Sequence, residues 1–386
     1  MLAPNIEDQY AKETAFLSSV KKNVGVEKVN NKFIITVIKS MHSGTAAVAK
    51  GATLPTGYAA TARVEIAPTY IFTGYSVDDQ DLEMARESAK SLADLMTINE
   101  EQMRSAHAKQ MNRMFLQNGD GAITTANGAG VSSTTLILSA SSPNGDIPAT
   151  KYFAPGQYIK IGTGAPVQIA SVDSATQLTL SAARSWSNTN KVYVTGPDGD
   201  IAVEPTGLAD AIGNTTNTFQ TIDRTTNPWW VPTVFSTPTT YSTARALEYK
   251  LEDLILQSNE YGKVNAMFMN RSAYRRLAAD FQSIQRVVNS VNLEGGFKGL
   301  AFNGPGYDVA CVLDYDAPDG VIYGVDFSTM TQAQLAPLQW LELDGSGNVL
   351  RLQGKATWEG FLKHYINLGL RKARGNFTIS GGTFTV

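Results

Sequence analysis

The sequence predicts an α+β fold carrying a small all-β insertion, on three observations. Residues 76–118 contain no glycine or proline, and at about 1.5 Å per residue such a run makes a helix of roughly 60 Å, far beyond ordinary globular length. Before it lies a long extended arm and ribbon with little apolar content of its own. After it the texture changes to Ser, Thr, Ala and Gly broken by short strands.

Composition bounds the rest. The chain has 386 residues, 43% hydrophobic and 17% charged, with a formal net charge of -3; that leaves room for about two or three soluble domains. The balance is too even to advertise nucleic-acid binding or a solvating acidic tail. The single cysteine, Cys311 in Val309-Ala310-Cys311-Val312-Leu313, excludes an internal disulfide and cannot build a thiolate metal site alone. It reads as a buried small hydrophobe. The opening Met1-Leu2-Ala3-Pro4-Asn5-Ile6-Glu7-Asp8 lacks the basic and apolar regions of a signal peptide, and no stretch approaches about 18 consecutive apolar residues. The expectation is a protein made and kept in a cytoplasm, without membrane contact.

Residues 1–31 mix Lys21, Lys22 and Lys28 with Glu7, Asp8 and Glu13, an arm that borrows its order from neighbours. Lys32-Phe33-Ile34-Ile35-Thr36-Val37-Ile38-Lys39 is a strong strand, and residues 61–72 are its return. Between them, 42–60 hold Gly44, Gly51, Pro55, Gly57 and many alanines, the flexible tip of a hairpin too long for a tight turn. A two-stranded ribbon is marginal alone, so the segment 32–75 is expected to lie on something else.

Asp78, Asp79 and Asp81 crowd the start of the long helix, where carboxylates favour the positive end of its dipole, with Ser76 or Asp78 as the cap. Leu82, Ala85, Ala89, Leu92, Met96, Met103 and Ala106 follow a spacing of threes and fours. That predicts one apolar stripe facing a sheet or a partner helix within 76–121.

Asn118-Gly119-Asp120-Gly121 and Gly196-Pro197-Asp198-Gly199-Asp200 read as hinges around an insertion at 122–200. Strands at 134–139, 157–161, 167–172, 177–181 and 191–195 predict a small β-barrel or sandwich there. Segment 201–259 holds Pro205-Thr206-Gly207-Leu208, then Trp229-Trp230 between Pro228 and Pro232, and a helix at 242–259. Strands at 264–269, 308–313 and 320–325 and a helix at 272–281 fall in 260–345. The tail, 346–386, is strand-rich.

No motif carries chemistry. Asp314, Asp316, Asp319 and Gly320 superficially resemble a calcium loop, but Pro318 takes a ligand position, Gly320 is displaced by one, and Val325 stands where the closing Glu belongs. A turn is expected instead. His42, His107 and His364 are far apart and read as structural or solvated. There is no phosphate loop, zincin helix or nucleophile elbow. No catalytic, cofactor or metal residue is expected. The sequons at Asn214, Asn270 and Asn376 mean little without a secretory signal. Trp229 and Trp230 pin a loop onto a core or a neighbour. Arg371, Lys372 and Arg374 form the densest basic cluster, enough for a few phosphate contacts, with a solvated or subunit-facing patch at least as good a reading.

The order of parts resembles the major capsid proteins of tailed double-stranded DNA bacteriophages, the Hong Kong 97 fold. So do local phrases: Pro205-Thr206-Gly207-Leu208, Gly299-Leu300-Ala301-Phe302-Asn303-Gly304, the Asp314 turn leading into Gly320-Val321-Ile322-Tyr323-Gly324-Val325-Asp326, and Tyr365-Ile366-Asn367-Leu368 in the tail. The resemblance spans the chain except 122–200. It implies an extended loop at 32–75, a peripheral domain with a spine helix at 76–121 and its continuation at 201–259, an axial domain at 260–345, and a tail at 346–386 returning to the peripheral sheet. It further implies a homo-oligomer of hexamers and pentamers in an icosahedral virion shell around double-stranded DNA, touched weakly and without specificity. Portal protein and separate scaffolding, protease or decoration proteins are the implied partners, and no catalysis is implied. Subunit contacts are expected at Lys50, Pro55, Arg63, Glu65, Trp229 and Trp230. Some such capsids join subunits by an isopeptide bond; Lys50 is the candidate here, and the sequence does not identify its asparagine or acid. The insertion is expected to face outward.

Two other readings stand beside this one. An encapsulin-type nanocompartment shares the fold. A glycan-binding or hydrolytic protein would use the insertion with Trp186, Trp229 and Trp230.

Overall fold

The computed structural model describes residues 16, 19–23, 26–80, 89–139, 148–200, 204–282, 290–292, 298–304, 306–341, 349–351 and 356–385. Its body rests on two sheets. The first is four-stranded. Its centre is Thr357–Leu370, which pairs antiparallel with Met330–Trp340 and Val349–Arg351 on one edge and with Thr69–Asp78 on the other. The helix α1, Ala89–Leu116, meets this sheet where Met103 packs with Leu338 and Leu362.

The second sheet has seven strands, in the order Thr233–Phe235, Phe377–Ile379, Ile322–Val325, Ala266–Met269, Tyr307–Leu313, Lys298–Gly304 and Ser290–Asn292. Ala266–Met269 is buried at every position, as expected for a central strand covered on both faces. Alternate side chains take opposite sides. Met267 and Met269 pack with Leu247, Leu251 and Ile255 of α3 (Ala246–Asn259) and with Ala273 and Leu277 of α4 (Arg271–Gln282). Ala266 and Phe268 join Met111 and Phe115 of α1 and Leu208 of the short helix α2 (Leu208–Ala211) in the main core. Two of these strands, Thr233–Phe235 and Phe377–Ile379, come from outside 260–345.

The hairpin corrects the expectation of a coreless ribbon. Lys32–Ile38 pairs with Thr61–Ile66 and with the short strand Glu27–Val29. At its root, Phe33, Ile35, Val37, Val64 and Ile66 are buried in the chain's own main core, with Phe16 and Val20 of the arm. Phe16 meets Phe268 edge to face, ring centroids 5.4 Å apart. Lys21 and Asn23 add to the edge of Met330–Trp340 through Gln332, whose N–H donates to Lys21 O at 2.9 Å and whose carbonyl accepts from Asn23 N at 2.8 Å. Alternating Phe33, Ile35 and Val37 explain the buried root; only the tip lacks such alternation.

The start of the long helix also differs. Ser76 is a strand residue paired with Glu359 and caps no helix, whereas Asp78, the last residue of the strand and opposite Thr357, stands immediately before the helical residues Asp79 and Gln80. Asp78 accepts from the Thr357 hydroxyl at 2.9 Å and Asp79 from the Trp358 indole at 3.2 Å, so both carboxylates also tie this junction to the central strand. Asp81, Leu82 and Ala85 lie outside the described residues, as do the side chains of Ala89, Leu92 and Met96. Of the stripe, Met103 is buried and Ala106 is exposed. The buried face runs in fours through Met103, His107, Met111 and Phe115.

After Gly119 and Gly121, both with φ of +76°, the insertion forms a six-stranded sheet in the order Ala122–Thr125, Lys191–Thr195, Tyr158–Ile161, Val167–Val172, Gln177–Trp186, Gly130–Ile137. A bridge between Ala126 and Leu138 joins the two ends of that order, with Ser139 N–H donating to Thr125 O at 2.8 Å. The sheet is thus a closed barrel, filled by Leu136, Ile159, Val167, Leu178 and Leu180.

Candidate assembly surfaces

Beyond its buried root the hairpin changes character. The legs stay together through Lys39 N–H to Ala60 O at 2.7 Å and Ser43 N–H to Tyr58 O at 3.4 Å. They cross so closely at Gly44 and Gly57 that a Cβ on Gly57 would stand 2.2 Å from Gly44 N. Only glycine permits that approach. Around the crossing, Ile38 is 73% exposed, Met41 91%, Leu54 73% and Tyr58 75%. Large apolar side chains this open and this close together mark a contact surface.

The six expected contact residues fall into two groups. Lys50 and Arg63 are exposed, and Pro55 and Glu65 half-buried, along the hairpin. Glu65 accepts from Lys32 Nζ at 2.9 Å, and that ammonium holds its carboxyl below the usual range. Trp229 is half-buried, its indole N–H on Asn227 Oδ1 at 3.1 Å. Trp230 is the correction: it is 1% exposed, and its indole N–H donates to Phe219 O at 3.3 Å. Pro228 opens a 3-10 turn, Pro228–Trp230, that drives this ring into the subunit's own core, away from any neighbour. Trp186, at 8% exposed, lies over Gly130 with its N–H on Gly128 O. Neither of these two buried indoles offers a face for a sugar to stack on; of the three tryptophans in the glycan reading, only Trp229 stays half-exposed.

Sequence reasoning missed Arg224. It is 1% exposed, stacks over the Phe219 ring, and donates to the carbonyls of Asp210, Ala211, Asn214 and Trp230. Burial lowers its pKa to about 10. One guanidinium thereby gathers residues 210–230 into a single unit. A lone arginine beside a Pro-Trp-Trp turn carries no such signal in sequence.

The Asp314 turn is where the insertion meets the body. Asn112 of α1 donates to Asp314 Oδ1 at 3.0 Å and to Asp316 Oδ2 at 2.8 Å. From the barrel side, Asp316 Oδ1 accepts from Lys151 Nζ at 2.5 Å and from the Tyr152 O–H at 2.8 Å. Burial, with Asp316 close by, pushes Asp314 up to about 6. The expected turn is present, and Lys151 supplies its cation. Next to it, Arg113 of α1 forms a buried ion pair with Glu204 and donates to Gln110 at 2.9 Å and Gln117 at 2.8 Å.

Two histidines that are far apart in sequence meet under α1. His107 Nε2 and His364 Nδ1 are 3.3 Å apart, with Thr73 Oγ1 2.8 Å from His107 Nδ1 and Gln334 Nε2 3.2 Å from His364 Nε2. With its amide nitrogen turned to His364, Gln334 can only donate, and this assigned orientation sets the order of the chain. It donates to His364 Nε2, His364 Nδ1–H donates to His107 Nε2, and His107 Nδ1–H donates to Thr73. Both rings are neutral, and burial lowers them to about 4 and about 3. Cys311 is fully buried with its thiol pushed up. Among the described residues no group of three or more His, Cys, Asp or Glu is arranged to hold a metal ion, and no helix is long and apolar enough to cross a membrane.

No family model and no curated protein matches the chain. Solved structures do. The chain is similar to a chain of the capsid asymmetric unit of Cyanophage A-1(L), at 12% identity and a TM-score of 0.53 over 96% of this chain and 93% of that one. It is likewise similar to the capsid of a native GTA particle, at 13% identity and 0.51 over 97% and 91%, and of an empty GTA particle, at 14% and 0.50 over 96% and 90%. These neighbours are structural capsid proteins. The fold is therefore of the Hong Kong 97 capsid type.

Proposed function

We propose that the chain is a major capsid protein that self-assembles through hexamers and pentamers into an icosahedral shell around phage double-stranded DNA. The observation that carries this reading is that the match to a phage capsid chain spans 96% of this chain and 93% of that one. The exposed apolar hairpin tip supports it, since a free monomer has no use for Met41 and Tyr58 in water. In this reading 1–31 is the arm, 32–75 the extended loop, 76–121 with 201–259 and 346–386 the peripheral domain, 260–345 the axial domain and 122–200 an outward-facing insertion. Lys50, Pro55, Arg63, Glu65 and Trp229 are the contact residues. Function is geometry repeated: each link contributes a modest free energy that a closed shell multiplies. Assembly takes place in the host bacterial cytoplasm, with a portal protein and separate scaffolding as partners and only weak, non-specific contact with the DNA; the chain catalyses nothing.

The test is sedimentation of the purified chain followed by negative-stain microscopy, with any scaffold coexpressed. Hollow polyhedral particles, or free hexamers and pentamers, are expected. A strictly monomeric species under both conditions would overturn the reading, and copurification of a cargo enzyme would move it to a nanocompartment.

A further inference from the structure

Beside the root of the hairpin lies a hollow of about 490 Å³, walled by residues 35–38, by Ser328 and Thr329, and by Arg371 and Lys372. Two cations line it and no carboxylate does. The hydroxyls are already committed: Ser328 donates to Asp326 Oδ1 at 2.6 Å and Thr329 to Asp326 O at 2.7 Å. Arg374, the third member of the basic cluster, is also engaged, donating to Pro228 O at 2.9 Å and lying over the Tyr261 ring.

Arg371 stands apart. Its backbone N–H is tied to Thr329 O at 2.7 Å, yet its side-chain Nε and Nη2 are shielded from solvent with no hydrogen-bond partner. These two nitrogens form the edge of the guanidinium that grips a carboxylate or phosphate side-on. Arg113 and Arg224, more deeply buried than the half-buried Arg371, spend their donors on Glu204 and on backbone carbonyls. A desolvated donor pair left empty costs free energy that an incoming oxyanion restores.

We propose that this hollow is a carboxylate-binding site, filled by an acidic side chain from a second copy of the chain, with Arg371 as the bidentate donor and Lys372 as the adjoining charge. The inference rests on the shell reading, which supplies the second copy. The opposite wall decides between oxyanions. Ile38 stands on it, 73% exposed, while Ile35 and Val37 beside it are buried in the core; an open apolar side chain there suits the apolar neighbours of an Asp or Glu in a peptide better than a sugar-phosphate strand. The long stem of Arg371 lets its unpaired edge turn to an acceptor that enters.

A zero-length carbodiimide, which joins an amine to a carboxylate only in contact, tests this on particles assembled from equal parts of 14N and 15N chain. Mass spectrometry should find Lys372 joined to an Asp or Glu in peptides of mixed isotope. R371Q should lower the fraction of chain that sediments as particles by about tenfold, the scale of one lost charge-assisted contact, and R371K, which keeps the charge without the fork, by less. Melting of the unassembled chain should stay unchanged in R371K.

Particles that form with no mixed-isotope link at Lys372, and equally well in R371Q, would overturn the site and leave the shell standing. R371Q that assembles normally but binds a fluorescent DNA duplex more weakly than the parent would also overturn it, naming a phosphate as the occupant. A wild-type chain that never assembles, with or without scaffold, overturns the shell reading and the second-copy occupant together. Should R371Q fail to fold, the isotope-mixed coupling on the parent chain still decides.

Discussion

Gly207 approaches the end of α1 so closely that a Cβ on it would lie 2.0 Å from Gln117 O and 2.5 Å from Met114 O. The last carbonyls of a helix have no intrahelical partner, and here the chain passes directly over them before turning into α2. Asn367 secures the same crossing, its Oδ1 accepting from Thr206 N–H at 2.9 Å.

Gly207→Ala must therefore push the 205–208 segment off α1. The approach is to backbone, which cannot swing aside as a side chain would. Overpacking of this kind costs about 1–3 kcal/mol, and urea unfolding should register a loss in that range. A substitution that leaves the midpoint unchanged would mean that the segment and helix are not in contact in solution.

The same residue bears on what the sequence reveals. Pro205-Thr206-Gly207-Leu208 was legible as a phrase of the capsid fold, and the contact of Gly207 with Gln117 O gives that phrase a steric cause. The β-hairpin, five of the six barrel strands and α3 and α4 were legible because their period is local; the first barrel strand, Ala122–Thr125, was not among those expected. The burial of the hairpin root was not, since Phe33 and Ile35 find Met111, Phe115 and Phe268 only through long-range packing. Nor were the side-chain ties at the strand-to-helix junction: Asp78 and Asp79 suited a helix dipole, but their bonds to Thr357 and Trp358 come from a strand far along the chain. The meeting of His107 with His364, and the cage around Arg224, depend on chain crossings that no spacing encodes.

The histidine chain sets an acid limit on stability. With native values of about 4 for His107 and about 3 for His364, against about 6.5 in an unfolded chain, the unfolded state binds protons first as pH falls. Above about 6.5 the pair leaves stability independent of pH. Below it, stability falls until the native rings protonate, a loss of up to roughly 8 kcal/mol for the two rings together at about 1.36 kcal/mol per pKa unit. Among the described residues, Lys22 on the arm is the other charge that bears on His364, and its sign adds to the effect. His364→Gln should lower stability at pH 7 and flatten the slope between pH 6.5 and 5. An unchanged slope in urea titrations across that window would show that the rings are not buried neutral.

Asp314 acts in the opposite sense. Its native value is raised to about 6 from the ordinary 3.8 of an aspartate, so between those values the native state holds a proton that the unfolded state has released. Stability from this group is full below about 4 and is lost as pH rises through about 6, by up to roughly 3 kcal/mol at one pKa unit per 1.36 kcal/mol. Asp314→Asn should remove that slope while keeping an oxygen for the Asn112 amide. The variant is then expected to match the parent near pH 4 and exceed it at pH 7.5. If parent and variant differ equally at both values, Asp314 is ionised throughout and the raised value is wrong.

The barrel is held to the body by a short list of polar contacts, and this makes its removal a sharp test of modularity. Its ends lie side by side: Ala122 is opposite Tyr193 in the pairing of the first and last barrel strands, and Asp120 is bridged to Lys191 at 2.6 Å. A few Gly and Ser residues can span that gap. Its core of Leu136, Ile159, Leu178 and Leu180 is separate from the two body cores, so excision opens no cavity in either. Among the described residues, the body loses Lys151 on Asp316 and on Tyr315 O, Tyr152 on Asp316, the Gln110 amide on Tyr152 O, the Tyr152 ring beside Arg113 and the Asp120–Lys191 bridge. Partly exposed polar contacts of this sort contribute about 1–3 kcal/mol together, too little to unfold a body with two cores of its own. Deleting 122–200 should therefore give a soluble, cooperatively melting chain of slightly lower stability. A wholly insoluble product would mean that the barrel completes the fold of the body rather than riding on it.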